Sequence, residues 1–489
     1  MKDFKKLWPL VALFSFLLIG TTIWSILPPA DEVIDNPRAG VPLPKTHLNH
    51  SHLFSDSMAT GPEVTAKCLE CHQDAARHVM ETNHWTWEKK KVKLDDRDSL
   101  VSIGKKHTIN NYCISVKGNW DSCTKCHVGY GWEDEKFNFK DETKIDCLVC
   151  HDGSGMYRKG KAGLPVKGVD LLEVAKSVRN PTRENCGSCH FAGGGGNAVK
   201  HGDLDGGLTN PGHELDVHMG KNNMQCTDCH QTVNHQIPGR AMSISADTNK
   251  ALDCTNCHTP KPHKSERLNG HTEKISCQAC HIPNVAKEEA TKTYWDWSKA
   301  GDSTRKEDHH KYLKIKGEFE YTKNLVPELY WYNGKADIYI LGDKIDDSKT
   351  TAINLPHGNR NDKNAKLWPF KVHRGKQIYD VKNKILIPPT TSGEGGFWKE
   401  FDWAKAAKLG AETAGLDYSG EYGFTATEMY WPLSHMVSSK DKALSCTECH
   451  TSSLSKEDSF QPRLDWKALG YEGDPMFSTT PAIEVGGSK

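Results

Sequence analysis

The chain has 489 residues, 63 basic and 63 acidic side chains and a formal net charge of zero, a balance that argues against nucleic acid as the partner. Hydrophobic residues make up 36%, modest for this length, so a folded interior needs a further source of apolar surface. Seventeen cysteines and 25 histidines are the excess to be explained.

The N-terminus carries Lys2, Lys5 and Lys6, and Leu7–Leu27 then runs without a charge, long enough to cross a bilayer as a helix. Lysines on its leading side keep that end cytoplasmic and export the rest. No small-x-small cleavage site follows, so residues 1–27 read as an uncleaved signal anchor in the inner membrane rather than a cleaved signal. Residues 28–62, rich in proline and polar side chains, read as a periplasmic tether. Its His47, His50 and His52 either fold back as ligands or form a polar arm.

Cys-x-x-Cys-His then occurs eight times: Cys68/Cys71/His72, Cys123/Cys126/His127, Cys147/Cys150/His151, Cys186/Cys189/His190, Cys226/Cys229/His230, Cys254/Cys257/His258, Cys277/Cys280/His281 and Cys446/Cys449/His450. Chance gives roughly 0.03 copies. The pattern attaches c-type haem: each cysteine forms a thioether to a vinyl group, and the histidine faces the iron. Zinc does not need a histidine after every second cysteine, and a CxxC disulfide is a redox motif that has no reason to recur eight times. Eight covalent haems c are therefore expected, and their macrocycles supply the missing apolar surface. The expected fold is a multihaem cytochrome c: mainly α with much irregular coil wrapped around eight stacked haems.

Seven motifs fall between Cys68 and His281, within a haem core spanning 63–290, so the haems must lie close together. Ala75–Lys90 reads as a helix carrying His78 and His84. A long gap separates Cys277 from Cys446, and 291–430 reads as an insertion packed on the core. Within it, Glu328–Leu341 alternates around Asn333-Gly334 and predicts a β-hairpin with a type I′ turn. Asp402–Ala414 predicts a helix ending near Gly415. Residues 431–489 hold the eighth motif and a polar tail.

Eight proximal histidines leave 17 of the 25, enough for a second imidazole on most irons. Local sequence singles out His84, His201, His218, His235, His271, His373 and His435, with His50, His263 and His357 in reserve. Eight bis-histidine haems make a wire; a catalyst needs one iron with a displaceable ligand. Gly193–Gly196 let backbone approach a ligand closely, and Lys200 follows them. Lysine amine binds iron only where burial removes its proton; otherwise Lys200 is a surface lysine. Cys113 is left over from the motifs, either inert and buried or a thiolate able to attack a sulfur–sulfur bond.

These motifs together, with Cys113 upstream of the second, Gly129-Tyr-Gly-Trp132, and Val199-Lys200-His201-Gly202-Asp203 after the glycines, resemble the octahaem tetrathionate reductase family over nearly the whole chain beyond the tether. The resemblance implies that the second haem is catalytic, with His127 proximal, Lys200 distal and Cys113 nearby, and that seven bis-histidine haems deliver electrons. It implies reduction of tetrathionate to thiosulfate, with nitrite and hydroxylamine as further substrates. By analogy with related multihaem reductases, calcium is a candidate second cofactor, with no ligand set readable. A quinol-linked or periplasmic cytochrome is the expected redox partner. The rivals are a hydroxylamine oxidoreductase-like enzyme, marked by a tyrosine cross-link, and a membrane-anchored conduit with no catalysis. No CxxCK motif of the pentahaem nitrite reductase type occurs.

Overall fold

The computed structural model describes residues 47–112, 115–193, 195–245, 252–450 and 463–477. The expected anchor, residues 1–27, lies outside them, as does Cys113. Among the described residues no helix is long and apolar enough to cross a membrane.

The haem-motif region is built of single helical turns joined by coil. Its longest helices are Gly61–Leu69 and Arg183–His190. The motif turns are set up locally. In Gln225/Asp228, Asp253/Asn256 and Ser445/Glu448, the side chain just before the second cysteine caps the turn by accepting from the amide just before the first, at 2.7–2.8 Å. That cap satisfies amide groups a one-turn helix cannot bond internally. The expected Ala75–Lys90 helix is broken instead into Ala75–Met80 and Asn83–Thr86, and ends at Trp87 in the left-handed region, φ 48°.

The insertion holds more sheet than one hairpin. Strands β1 (Lys89–Val92) and β2 (Val101–Ile103) pair alone near the core. Nine more form one sheet: β3 (Thr291–Asp296), β4 (Tyr312–Leu313), β5 (Gly317–Thr322), β6 (Glu328–Tyr332), β7 (Ala336–Ile338), β8 (Thr351–Pro356), β9 (Lys366–Asp380), β10 (Ile385–Leu386) and β11 (Tyr422–Pro432). The order is β4-β5-β3-β9-β11-β8-β7, with β6 and β10 also on β9. The expected hairpin at Asn333-Gly334 is not formed: β6 pairs with β9 and β7 with β8. A type I′ turn needs positive φ at both central residues, and only Gly334 has it, at 90°. The Asn333 side chain instead accepts from Lys335 N and donates to Asp362. The helix after Asp402 forms as expected, Trp403–Ala414, capped by Asp402 and closed by Gly415 at φ 69°.

β9 is the spine. It runs beside β11 from Phe370 to Asp380 and beside β3 at Arg374–Lys376. Asn111 donates to His373 O, and Asn119 donates to Pro389 O, so the segment around the second motif is bolted to this sheet.

Candidate haem sites and the Lys200 loop

In an α-turn, residues i, i+3 and i+4 share a face, so Cys-x-x-Cys-His delivers two sulfurs and an imidazole to one side. The amides of His72, His151, His230, His258 and His450 bond the carbonyl of their own first cysteine at 2.8–3.1 Å, as that winding requires. The attachment cysteines are not all interior residues. Cys71, Cys229, Cys257 and Cys446 are exposed, whereas the other described motif cysteines are half-buried. The polypeptide alone therefore does not enclose the first, fifth, sixth and eighth motifs as a packed core would. One helical turn and flanking coil leave the sulfur-bearing side uncovered, and a thioether-linked macrocycle is the apolar surface that fits against it.

Seven proximal histidines each have a second imidazole opposite. The ring centres are His72–His50 6.1 Å, His151–His235 6.5 Å, His190–His84 6.3 Å, His230–His435 6.4 Å, His258–His218 6.2 Å, His281–His263 6.2 Å and His450–His271 6.3 Å. A metal–imidazole bond is about 2 Å and the ring centre lies about 1 Å beyond the nitrogen, so two imidazoles trans on one iron sit about 6 Å apart. The spacing fits haem iron between each pair. Desolvation pushes the His190 imidazole down to about 3.

Hydrogen bonds fix which ring nitrogen is free for metal. His50 Nδ1 donates to Leu48 O (2.8 Å), His151 to Arg179 O (2.9 Å), His230 to Pro238 O (2.7 Å) and His271 to Arg267 O (2.8 Å). His435 Nδ1 donates to Asp203 (3.0 Å) and His450 Nδ1 to Asp474 (2.7 Å). Each leaves Nε2 as the nitrogen free for a metal. Motif sulfurs also meet across motifs: Cys68 with Cys147, Cys126 with Cys189, Cys186 with Cys226, and Cys254 with Cys277.

Of the histidines singled out from sequence, His84, His218, His235, His271 and His435 stand opposite proximal ones. His201 and His373 do not. His201 meets the Trp431 ring edge-on at 4.9 Å. His373 is fully buried in β9, tilted by 34° against the Tyr112 ring at 4.0 Å, with neither ring nitrogen hydrogen-bonded. The opposed partners in their place are the reserves His50 and His263; the third reserve, His357, bonds Asp337 at 2.6 Å. His78 also lies 6.2 Å from His235, but neither of those two belongs to a motif.

The second motif differs. His127 N bonds Thr124 O at 2.9 Å, so Thr124–Cys126 is a 3₁₀ turn. That i→i+3 bond replaces the one to the first cysteine's carbonyl that His72, His151, His230, His258 and His450 make. Its ring is boxed by Trp132 (4.6 Å), Trp85 (5.0 Å), Trp87 (5.4 Å) and Phe137 (5.6 Å), and its Nε2 is 2.7 Å from Trp85 O. Burial pushes it down to about 3. Among the described residues, no histidine ring stands opposite it as in the other seven motifs.

Lys200 is held near this motif. Gly195 and Gly196 take φ of 123° and 138°, which other residues rarely adopt, and turn the chain after the Arg183–His190 helix. The loop is then fixed link by link: Thr291 Oγ1 donates to Ala198 O (2.6 Å), and buried Lys371 Nζ donates to Val199 O and Lys200 O (3.0 Å each). Lys200 Nζ lies 4.9 Å from the Trp431 ring centre. The Cys126 thiol, drawn down chiefly by its bond to Cys189, also feels the Lys200 charge. Beneath, Asp146 takes Tyr130 OH (2.9 Å), Tyr157 OH (2.8 Å), Val149 N (3.0 Å) and Lys159 Nζ (2.9 Å), while Lys159 also donates to the carbonyls of His127 and Gly129. This network escapes sequence reading, because a lone Asp before a cysteine and a lysine in a later coil carry no local pattern. No cluster of three metal-binding side chains occurs among the described residues, so they offer nothing for calcium of that composition.

Eight haem-attachment motifs and paired imidazoles at iron spacing define a multihaem c-type cytochrome. Two family models agree: Cytochrome c7 and related cytochrome c matches residues 212–286, and Cytochrome c bacterial matches 292–453. The chain is similar to the crystal structure of octaheme cytochrome c from Shewanella oneidensis, at 48% identity and a TM-score of 0.82, covering 89% of this chain and 99% of that one. Curated proteins gave no match. The chain belongs to the octahaem cytochromes c, carries covalently bound haem c and acts in electron transfer and redox chemistry.

Proposed function

We propose that this is a periplasmic tetrathionate reductase in which the second motif, with Lys200, is the reacting site and the seven paired motifs conduct electrons to it. The observation that carries the reading is the asymmetry of the motifs: seven proximal histidines face a second imidazole, and His127, in its 3₁₀ turn, does not. Haem c, when bound, supplies the electrons and one exchangeable coordination position. His127 would hold the iron in exchange for its bond to Trp85 O, and the Lys159 grip on its carbonyl holds the turn in place. Lys200 would serve as the exchangeable ligand, giving way to substrate and, once protonated, offering an ammonium to a sulfonate oxygen. The Cys113 thiolate attacks a central sulfur of tetrathionate, forming one S–S bond and breaking another, with thiosulfate leaving. Two electrons then cleave the remaining mixed sulfur bond, giving the second thiosulfate and restoring the thiolate. The residues 1–27 anchor places this chemistry beside quinol-linked donors.

The test is anaerobic mixing of the fully reduced protein with tetrathionate, nitrite and hydroxylamine separately, following the haem bands. Fast reoxidation by tetrathionate, lost in Lys200→Ala and Cys113→Ala with eight haems retained, is expected. Reoxidation by nitrite or hydroxylamine alone moves the site to nitrogen chemistry, and silence with all three leaves a conduit.

A further inference from the structure

The paired histidines are not equivalent. Four with an Nδ1 partner donate to neutral carbonyls, whereas His435 and His450 donate to carboxylates. Near His218, Asp216 stands 3.8 Å away, beyond a hydrogen bond, and is occupied by the amides of His218 and Met219. A carboxylate on Nδ1–H makes a charge-assisted bond and raises the basicity of the other nitrogen, which favours the ferric over the ferrous state.

Asp203 does this from a particular place. It is 2% exposed, and its Oδ2 accepts from Ser434 N (2.8 Å), His435 N (3.0 Å) and His435 Nδ1 (3.0 Å). It closes the run Lys200-His201-Gly202-Asp203. Between Lys200 and Asp203, Gly202 O accepts from Ala286 N at 2.8 Å, so nothing in the segment is slack. The loop that presents Lys200 is thus tied to His435, which faces the proximal His230 of the fifth motif. That motif meets the fourth through Cys226 and Cys186, and the fourth meets the second through Cys189 and Cys126.

We propose that Asp203 is a positioning residue: it holds His435 for the fifth haem, keeps that haem low in potential, and thereby makes the step from fifth to fourth to second motif run downhill toward the Lys200 site. This rests on His230 and His435 sharing one iron and on the second motif being the electron sink; it does not depend on which substrate is reduced.

The test is a spectroelectrochemical titration of the eight-haem protein and its Asp203→Asn variant. Asparagine keeps an oxygen for the amides and removes the charge. One of the eight one-electron steps is expected to move upward by a tenfold change in its equilibrium, about 59 mV, with the low-spin spectrum and haem content unchanged. Asp474→Asn should move a different step. Superimposable wild-type and Asp203→Asn titrations overturn the proposal. If the asparagine variant loses haem, Asp203→Glu decides: with the charge kept, the step stays within about 59 mV of wild type, and a larger shift overturns the proposal. Failure of tetrathionate to reoxidise the protein leaves this result untouched, so the two readings fail separately.

Discussion

Removing the Asp146 carboxylate is the sharpest test of how the second motif is held. Its side chain is 0% exposed and Lys159 is 5% exposed, with 2.9 Å between them. Asp146→Ala strands an ammonium in the interior together with the Tyr130 and Tyr157 hydroxyls. Losing one member of a buried pair costs about 3–5 kcal/mol, and the hydroxyls raise rather than lower that figure. Asp146→Ala combined with Lys159→Met removes the uncompensated charge, so the double variant should recover most of the loss, with a coupling of about 2–3 kcal/mol. Guanidinium unfolding of the holoprotein, followed by far-ultraviolet circular dichroism and the haem bands, measures it. The haem band of the second site should shift in the single variant, because Lys159 grips the His127 and Gly129 carbonyls. A single-variant cost below about 1 kcal/mol, or additive single and double variants, refutes the reasoning.

Lys292 is 2% exposed, lies over Trp295 at 3.5 Å and Phe319 at 3.9 Å, and is pushed by burial to about 6. The folded state therefore binds fewer protons than the unfolded one between about pH 6 and 10, so Lys292 makes stability rise with pH there, by up to about 1.4 kcal/mol per unit. Lys292→Met should flatten that slope in unfolding curves and stabilise the protein at pH 7. Glu328 feels burial upward, but its bidentate bonds to Arg374, at 2.7 and 3.0 Å, outweigh it and hold the carboxyl below its ordinary range. Its contribution is present above the unfolded pKa and lost as pH falls through the folded one. With both partners over a third exposed, Glu328→Gln should cost no more than about 1 kcal/mol at pH 7 and nothing at low pH. His263→Ala should remove one low-spin imidazole pair, seen by electron paramagnetic resonance, while His373→Ala should leave all seven.

The motifs are legible because covalent attachment writes itself into contiguous residues: two sulfurs and an imidazole on one turn. What the pattern does not carry is burial, so nothing in the spacing marks Cys71 or Cys257 as more exposed than Cys126 or Cys150. Five of the opposed histidines are legible because they flank a motif or follow an aromatic cue. His201 and His373 stand apart from the proximal histidines for one physical reason. They belong to segments drawn into the Trp431 and Tyr112 cluster behind the loop, and such tertiary placement has no local signature. His50 is masked by its position in a proline-rich stretch that reads as a tether. The sheet is under-read because β9 carries Lys371, His373 and Lys376 among its apolar residues, breaking the period-two pattern. Asn333-Gly334 reads as a hairpin from composition, although the pairing of β6 is decided by β9, which follows three strands later. Most of the haem framework is therefore readable, while Asp203, Asp474 and the Asp146–Lys159 pair, which tune and brace it, join distant parts of the chain.

The central claim is that seven motifs hold iron between two imidazoles and the second does not. Near-infrared magnetic circular dichroism of the fully oxidised protein counts axial-ligand classes directly. The account predicts seven parts of bis-histidine signal to one part of a histidine–amine type, the latter abolished in Lys200→Ala. Eight parts of bis-histidine signal, unchanged by that substitution, would contradict it.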